Sequence, residues 1–590
     1  MMREHAEKKP GCRGYMDWDP TEEERWGLGW VEQWVCRMCG YRKAKSRLYK
    51  EISTPKAGRK CADINKSVHV GLTQMPIGPT SMRKLLMSAH VPPPSRQQLQ
   101  ATSSSVCEDI KAANTLDMHA RREDLKNINI LRGDASNVID IECDGAYNNK
   151  LYSGVGRTPF QPATQCNYVV VENSTNKRQV IALENINKLC SKHGMHTGSD
   201  PPCDITSSAC SSTHVMETTI GNEGEWAKAC LVNLKTESDL EVKHVTTDPD
   251  TKAYMAAEEL YALGVSNTEP EHLLDTRHLS DNHRKFIKGN SAVLNIMPGN
   301  NKHERETTLS SFALDLSKRC QSECEALHVK LKHCGSNPTV PVHLQLLTES
   351  IIKCYHGNHS MCELHSEMCD ESNSWITRSP YLPPGFKIEY RESNFNVLEK
   401  CIMYRLSEER FHMTRLNSNS QKVESVNRSL RRSVPTNVTY SRNFDGRSHS
   451  AVHSVNNGPG ESMTLLMEME GCPVPPGSRL AKALKTDQKS YTYNKNYFKT
   501  RQAKVKRLAR RTKLYQLHRD HKEDVKYKKA QLLSEKYKIR RKTTKVKKAI
   551  RTEHSYAVPS SSINAAETHN VVHVAQNSGG DASSVCGHCS

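Results

Sequence analysis

Aromatic side chains are scarce in this chain: they make up 6% of 590 residues, with 8 phenylalanines and 6 tryptophans, and hydrophobic residues reach only 36%. An average globular domain is about 45–50% apolar, so the shortfall excludes one tightly packed core over the whole length. A mean hydropathy of −0.69 points to sizeable polar connectors. At about 150 residues per domain the length suggests about four domains, fewer once connectors are subtracted. No apolar run approaches the roughly 18 residues of a membrane span. The opening MMREHAEKK also lacks the apolar stretch of a secretory signal. These absences lead to the expectation of a soluble, intracellular protein.

Positive charge is in excess. Lys and Arg number 84 against 65 Asp and Glu, a net of +19, and residues 481–553 alone hold 26 Lys and Arg against 6 acids. The body of the chain is therefore close to neutral, and the basic charge sits in one arm. Each Lys or Arg set against a phosphate releases a condensed counterion, so such an arm suits a polyanion. A solvated nuclear-import tail has the same composition. The blocks KVKRLARR and KIRRKTTKVKK make Lys504, Lys506, Arg507, Arg510, Arg511, Arg540, Arg541 and Lys542 the candidate DNA contacts. Tyr515, Tyr527 and Tyr537 interleave with the cations and either stack on bases or cover a helix contact.

Cysteine is plentiful, at 21, and without a secretory signal the thiols are expected to be reduced. Several stand at metal-ligand spacings. In WVCRMCGYRK, Cys36 and Cys39 flank a tight turn that presents both thiolates to one side. That is half of a tetrahedral zinc site, with Cys12 and His5 available as partners, or else a pair of core thiols. CYHGNHSMCELHSEMC gathers six Cys and His residues within sixteen positions. Cys354, His359, Cys362, His365 and Cys369 are the zinc candidates there, with His356 beside them; the alternative is a polar helical turn with buried thiols. A third group, Cys190, His193, Cys203 and Cys210, lies in an insert between strand-like segments. The terminal CGHC, Cys586 to Cys589, has no strand-helix unit to make it a disulfide-exchange site. Gly154 and Gly156 alone are too little for a phosphate cradle.

Periodicity gives the organisation. VPPPS, Val91 to Ser95, is a stiff connector, and residues from about 96 to 131 read as helix. Ile139, Ile141 and Cys143 alternate with Asp140, Glu142 and Asp144, the pattern of a strand with one apolar face, expected to stop at Gly145. QCNYVVVEN, RQVIALENI and LEVKHVTTD follow as strands, the first three joined by short turns. Ala253, Ala256, Leu260 and Leu263 then make a helical stripe closing at Gly264. That succession predicts an α/β domain with a mixed sheet. Residues from about 265 to 415 read as mostly helical. Residues 416–433 read as a short helix opened by a capping box of Ser418 and Gln421 and ended before Pro435. Val423, Val426 and Leu430 form its apolar side, with Glu424 beside them and Asn427, Arg428 and Arg431 on the polar flank.

Three acids stand out by position. Asp144 ends the first strand, Asp248 ends the fourth, and Glu424 lies on the late helix. If strands one and four are neighbours, two carboxylates meet at one sheet edge and the helix brings in the third. Such a trio holds two Mg²⁺ ions about 3.5–4 Å apart for phosphodiester chemistry. Equally, Asp144 reads as a turn residue, Asp248 as a helix cap and Glu424 as a surface glutamate.

Taken in order, CDGAYNN, SGVGRTPFQPATQ, NKLC, GNEGEWAKAC, HVTTDPDTKAY, LLDTRHL, CYHGNHSMC, QKVESVNRS and NVTYSRNFDGRSHSAVHSVNNGPGES resemble the Mutator-like transposase domain of animal genomes, over about residues 27–515. The resemblance implies an RNase H-like catalytic core of the DDE type, split by a long helical insertion before the glutamate. On that pattern Asp144, Asp248 and Glu424 are the catalytic acids. Asp275 and His278, in DTRH, support them as the Asp/Cys-x2-His signature after the second acid. The resemblance also implies Mg²⁺ or Mn²⁺ at the acids, DNA as partner in the form of terminal inverted repeats and a target, and a homo-oligomer that joins two ends. Two positions depart from the family pattern: Pro249 stands where Gly is usual, and Thr206 where many relatives have His.

The expected division is a zinc-ribbon-like module over 1–90, a helical connector over 91–136 and the first part of the RNase H-like core over 137–264. A helical insertion over 265–415 and the rest of the core over 416–475 follow. A basic helical DNA-binding arm over 476–555 and a disordered tail over 556–590 complete it. The nucleus is the expected location. The competing readings are a catalytically silent, transposon-derived nuclear DNA-binding protein and a basic scaffold protein with zinc modules.

Overall fold

QCNYVVVE is rich in β-branched and aromatic residues, which suit a pleated surface. In the computed structural model of this chain it forms a strand buried at every position, Gln165–Glu172. The structure describes residues 2–53, 60–148, 163–197, 210–247, 251–331, 340–370, 373–514 and 517. Asp248, Cys203, Thr206, Arg540, Arg541, Lys542, the three arm tyrosines and the segment 556–590 lie outside the described residues. The chain divides into one unit over Met1–Asn494 and a second over Lys495–Ser590.

The largest sheet of the first unit contains β1 (Val138–Tyr147), β2 (Gln165–Glu172), β3 (Val180–Asn187), β4 (Glu241–Thr247) and β5 (Glu271–Leu274). Their order is β3-β2-β1-β4-β5. β1, β2 and β3 pair antiparallel, with Asp144 opposite Val169, whereas β4 runs parallel to both β1 and β5. The mixed sheet of the sequence reading is present, with three differences. β1 continues through Gly145 to Tyr147, because β2 pairs Tyr168 with Gly145 and Cys166 with Tyr147. The connection from β1 to β2 spans 148–164 and is no short turn. β5 lies inside the stretch expected to be helical, since four residues are too few for a period to show.

Helices cover both faces. Among them are α1 (Arg96–Arg132), α2 (Glu223–Ser238), α3 (Lys252–Ala262), α4 (Thr276–Gly289), α5 (Lys302–Leu331), α6 (Val340–Tyr355), α7 (Glu392–Leu406), α8 (Gln421–Ser433) and α9 (Phe444–Asn457). α1 is capped at both ends: the Ser95 hydroxyl accepts from the Gln98 N–H at 3.1 Å, and Gly133 follows the helix with φ 78°. Its 37 residues span about 55 Å. On one face of the sheet, Trp226 and Leu234 of α2 and Ala256 and Leu260 of α3 pack with Ile139, Ile141 and Cys143. On the other, Val423, Val426 and Leu430 of α8 and Val452 of α9 pack with Val169 and Val171. Between β5 and α8 the chain makes a helical insertion with its own core, including Phe312, Leu316, Ile351, Leu398 and Ile402.

The expected capping box of α8 does not form. Ser420, not Ser418, is the N-cap residue, and its hydroxyl makes no cap bond; it donates instead to Asp275. In the second unit residues 501–514 are helical, and Lys504, Lys506, Arg507, Arg510 and Arg511 are all exposed.

α9 approaches α1 so closely that a Cβ on Gly446 would lie 2.3 Å from Cys107 Cβ. Gly446→Ala is therefore expected to destabilise by about 1–3 kcal/mol through overpacking. Gly289→Ala, where a Cβ meets nothing within 4 Å, costs nothing in the same urea or thermal unfolding measurement.

His283 of α4 donates its Nε2 proton to the Cys401 carbonyl at 2.7 Å, and burial pulls its pKa down to about 4. The unfolded chain takes up this proton near pH 6.5, so the group's contribution to stability is complete above that value and is lost as the pH falls toward 4. Between pH 7 and pH 5 the loss is about 2 kcal/mol. A His283→Gln variant keeps a donor but does not titrate, so its melting temperature should fall less between those two pH values.

Candidate active site and metal-ligand clusters

β4 ends beside the Cys143–Asp144 stretch of β1, and a cleft of about 220 Å³ lies there, with Asp144, Tyr168, Glu223, Thr247, Lys252 and Ser420 in its walls. Asp144 faces α8, where Asn427 Nδ2 donates to Asp144 Oδ2 at 2.8 Å. Glu424 is three residues before Asn427 on the same helix. Residues so spaced have Cβ atoms about 5–6 Å apart, so the first and third expected acids share one neighbourhood. Gln421 Nε2 donates to Glu424 Oε1 at 3.2 Å, and His278 Nε2 meets the same oxygen at 3.1 Å.

Asp275 is the N-cap of α4. Its Oδ1 accepts from the backbone N–H groups of Arg277 and His278, at 2.6 and 3.0 Å. Its Oδ2 accepts from the backbone N–H and the hydroxyl of Ser420, at 2.7 and 2.8 Å. Asp144, Glu424, Asp275 and His278 are thus brought together from three elements, β1, α8 and the start of α4. Thr247, the residue before Asp248, ends β4 at the cleft.

The surroundings are low in dielectric. Glu142, two positions before Asp144 and fully buried, has its carboxyl pushed up to about 7 by burial, against the pull of Arg178 and the Val423 backbone. Burial raises the Cys143 thiol to about 12 and also raises the Tyr147 phenol. Tyr147 donates its hydroxyl to Glu223 Oε1 at 2.5 Å. A Cβ at Gly145 would stand 3.0 Å from that hydroxyl and 3.1 Å from Glu223 Oε1, which accounts for a glycine directly after Asp144. Sequence reasoning assigned no site role to Glu223, Gln421 or Asn427. The one available signal was that Gln421 and Asn427 lie three residues on either side of Glu424, on its side of α8.

Zinc bonded to sulfur at about 2.3 Å and to nitrogen at about 2.0–2.1 Å sets tetrahedral edges of about 3.8 Å between sulfurs and about 3.5 Å between sulfur and nitrogen. Two quartets meet that requirement. His5, Cys12, Cys36 and Cys39 hold their ligand atoms within 4.8 Å of one another, with Cys12 and Cys36 sulfurs 3.7 Å apart and His5 Nε2 3.3 Å from Cys39 Sγ. The open partners of Cys36 and Cys39 are therefore Cys12 and His5. A Cβ on Gly14 would sit 2.7 Å from Cys36 Sγ, so a side chain there would crowd the quartet.

Cys354, His359, Cys362 and Cys369 form the second quartet. Its sulfurs Cys354 and Cys369 are 3.8 Å apart, and His359 Nδ1 lies 3.5 Å from Cys369 and 3.8 Å from Cys362. Hydrogen bonds from Cys354 and Cys362 pull the Cys369 thiol well below its ordinary value. His365 is not a member, contrary to the sequence reading. It ends the single turn Cys362–His365, after which Ser366 is tied by its hydroxyl to Glu323 at 2.5 Å, and His359 fills the fourth corner. His356 does not stand with these four either; its Nδ1 donates to the Ile388 carbonyl at 2.9 Å. In the third group Cys190, His193 and His196 converge, and Cys210 approaches Cys190 and His196.

A Mutator-like transposase family model matches residues 1–369, more than half of the chain. The chain belongs to the Mutator-like transposase family. No curated protein and no solved structure gives a match. Membership of this transposase family brings a DNA-processing function and DNA as the partner. Among the described residues no helix is long and apolar enough to cross a membrane. The matched region stops before α8, so the case for Glu424 rests on its contacts with His278 and Gln421. For the second quartet, metal analysis should show one zinc fewer per chain in His359→Ala and no change in His365→Ala.

Proposed function

We propose that this transposase-family chain is a DDE-type DNA transposase that cuts element ends and transfers strands, with Asp144, Asp248 and Glu424 as its catalytic acids. The observation that carries the reading is the Asn427 to Asp144 hydrogen bond, which sets α8, and Glu424 one turn earlier, against the end of β1. The sheet order, antiparallel on one side of β1 and parallel on the other, supports an RNase H-like core. The donor set fits Mg²⁺ or Mn²⁺, since carboxylate oxygens beside an open cleft are what these hard cations take. When bound, two such ions supply activation of the attacking oxygen and charge stabilisation of the leaving one.

The protein's own residues do the positioning. Asn427 orients the Asp144 carboxylate, while His278 and Gln421 hold that of Glu424. Asp275 fixes the start of α4 and α8 together, so His278 and Glu424 keep their register. The exposed cations over 501–514 grip backbone phosphates without reading sequence. The two quartets bind structural zinc, their four protein ligands leaving no open position. Joining two element ends calls for a homo-oligomer, and the substrate calls for the nucleus.

Supercoiled plasmid carrying the element's inverted repeats, incubated with the protein and Mg²⁺ or Mn²⁺, tests the proposal. The intact chain nicks it, while Asp144→Asn and Glu424→Gln lose activity. His278→Ala, which acts through Glu424, loses about 10–100-fold and is partly rescued by raised Mn²⁺. Equal nicking by intact and substituted chains would mean a contaminating nuclease. DNA binding without nicking by the intact chain would favour the catalytically silent descendant.

A further inference from the structure

The insert after β3 was expected to use Cys203, which lies outside the described residues, and to lack a histidine at Thr206. Among the described residues the fold brings His196 to this group. A two-stranded ribbon, Leu189–Cys190 against Gly194–Met195, turns through His193 with Gly194 at φ 79°. Cys190 Sγ lies 3.7 Å from His193 Nδ1 and 3.7 Å from Cys210 Sγ, and His196 Nε2 lies 3.2 Å from Cys210 Sγ. The ligand atoms of Cys190, His193 and His196 are all within 4.8 Å of one another. The Lys192 backbone N–H points at Cys190 Sγ from 3.4 Å, the way a knuckle supports a thiolate. Separations of 3.7, 3.7 and 3.2 Å lie near the tetrahedral edges derived above for zinc; Cys210 stands outside the mutually close trio but against two of its members, and Cys190 and His196 are buried, at 2% and 0% exposure.

We propose that Cys190, His193, His196 and Cys210 bind one zinc ion as a closed structural site. Its role follows from where the chain goes next. Immediately after Cys210, Asn187 at the end of β3 donates its side-chain amide to the Ser211 carbonyl at 2.6 Å, and Thr213 N–H donates to the Asn187 carbonyl at 2.7 Å. His214 then stacks edge-on against Trp226 of α2 with ring centres 4.9 Å apart. Trp226 donates its indole N–H to the Ile220 carbonyl at 3.0 Å. Three residues later Glu223 enters the cleft wall. The zinc therefore pins the start of the segment that delivers Glu223 beside Asp144. Four protein ligands leave no coordination position for water, so the ion is a staple with no chemistry of its own.

Zinc content of the full chain, purified without chelator, decides the matter. His196→Ala and Cys210→Ser should each contain one zinc fewer per chain than the unsubstituted protein, whereas Cys203→Ser should contain the same number. His196→Cys, which offers a sulfur at the same corner, should keep the full complement. After cobalt replacement it should add thiolate charge-transfer absorption, which guards against loss of metal through simple misfolding. Unchanged zinc in His196→Ala, or a loss of one zinc in Cys203→Ser, would overturn the assignment. Because the readout is metal content, the result stands or falls independently of whether the chain cuts DNA.

Discussion

One buried carboxylate joins the two ends of the helical insertion. Asp275 accepts two backbone N–H groups at the start of α4 with one oxygen, and the backbone and hydroxyl of Ser420 at the start of α8 with the other. The chain leaves the sheet at β5 and returns at α8 through this single residue. A carboxylate held by several N–H donors is among the stronger neutral-to-charged arrangements available to a protein. Apolar packing of Val423, Val426 and Leu430 holds α8 on the sheet, and Asp275 sets the start of α4 against it, which fixes the register of His278 on Glu424.

A chain with so few apolar residues has to find order elsewhere, and the sheet shows how. Asn167 donates its side-chain amide to Asn185 at 2.6 Å and to Ser448 at 2.7 Å, and Asn185 donates to Asp445 at 2.6 Å. His449 and Lys111 hold the Asp445 carboxyl far below its ordinary range although burial opposes them. This network docks α9 on β2 and β3 where another protein would use Leu and Ile. Buried polar groups are costly unless all partners are present, so the arrangement specifies one docking geometry more sharply than an apolar contact of equal size.

The basic arm belongs to a different regime. Its exposed cations over 501–514 form a solvated helix face, with Arg507 lying over the Phe498 ring at 5.2 Å. Charge of this kind acts through counterion release and is insensitive to exact geometry. The cleft works the other way: a hydrogen bond of 2.8 Å at Asp144 has direction, and it holds the carboxylate in one orientation.

Much of this was legible in one dimension. Alternation in β1, the strand-like run of β2, the helix of α1 after the VPPPS connector, the spacing of Cys36 and Cys39 and the cation-rich arm are all signals carried by residues within a few positions of one another. Local geometry alone reads them, because strand and helix periods and metal-knuckle turns are short-range properties of the backbone. Other features could be known only once the chain was folded: that His359 and not His365 closes the second quartet, that His196 joins Cys210, that Ser420 serves Asp275 and not its own helix, and that Asn427 reaches Asp144 from 283 positions away. Each depends on how segments far apart in sequence pack. A side chain's partner is chosen by the path of the whole chain, which no window of sequence contains.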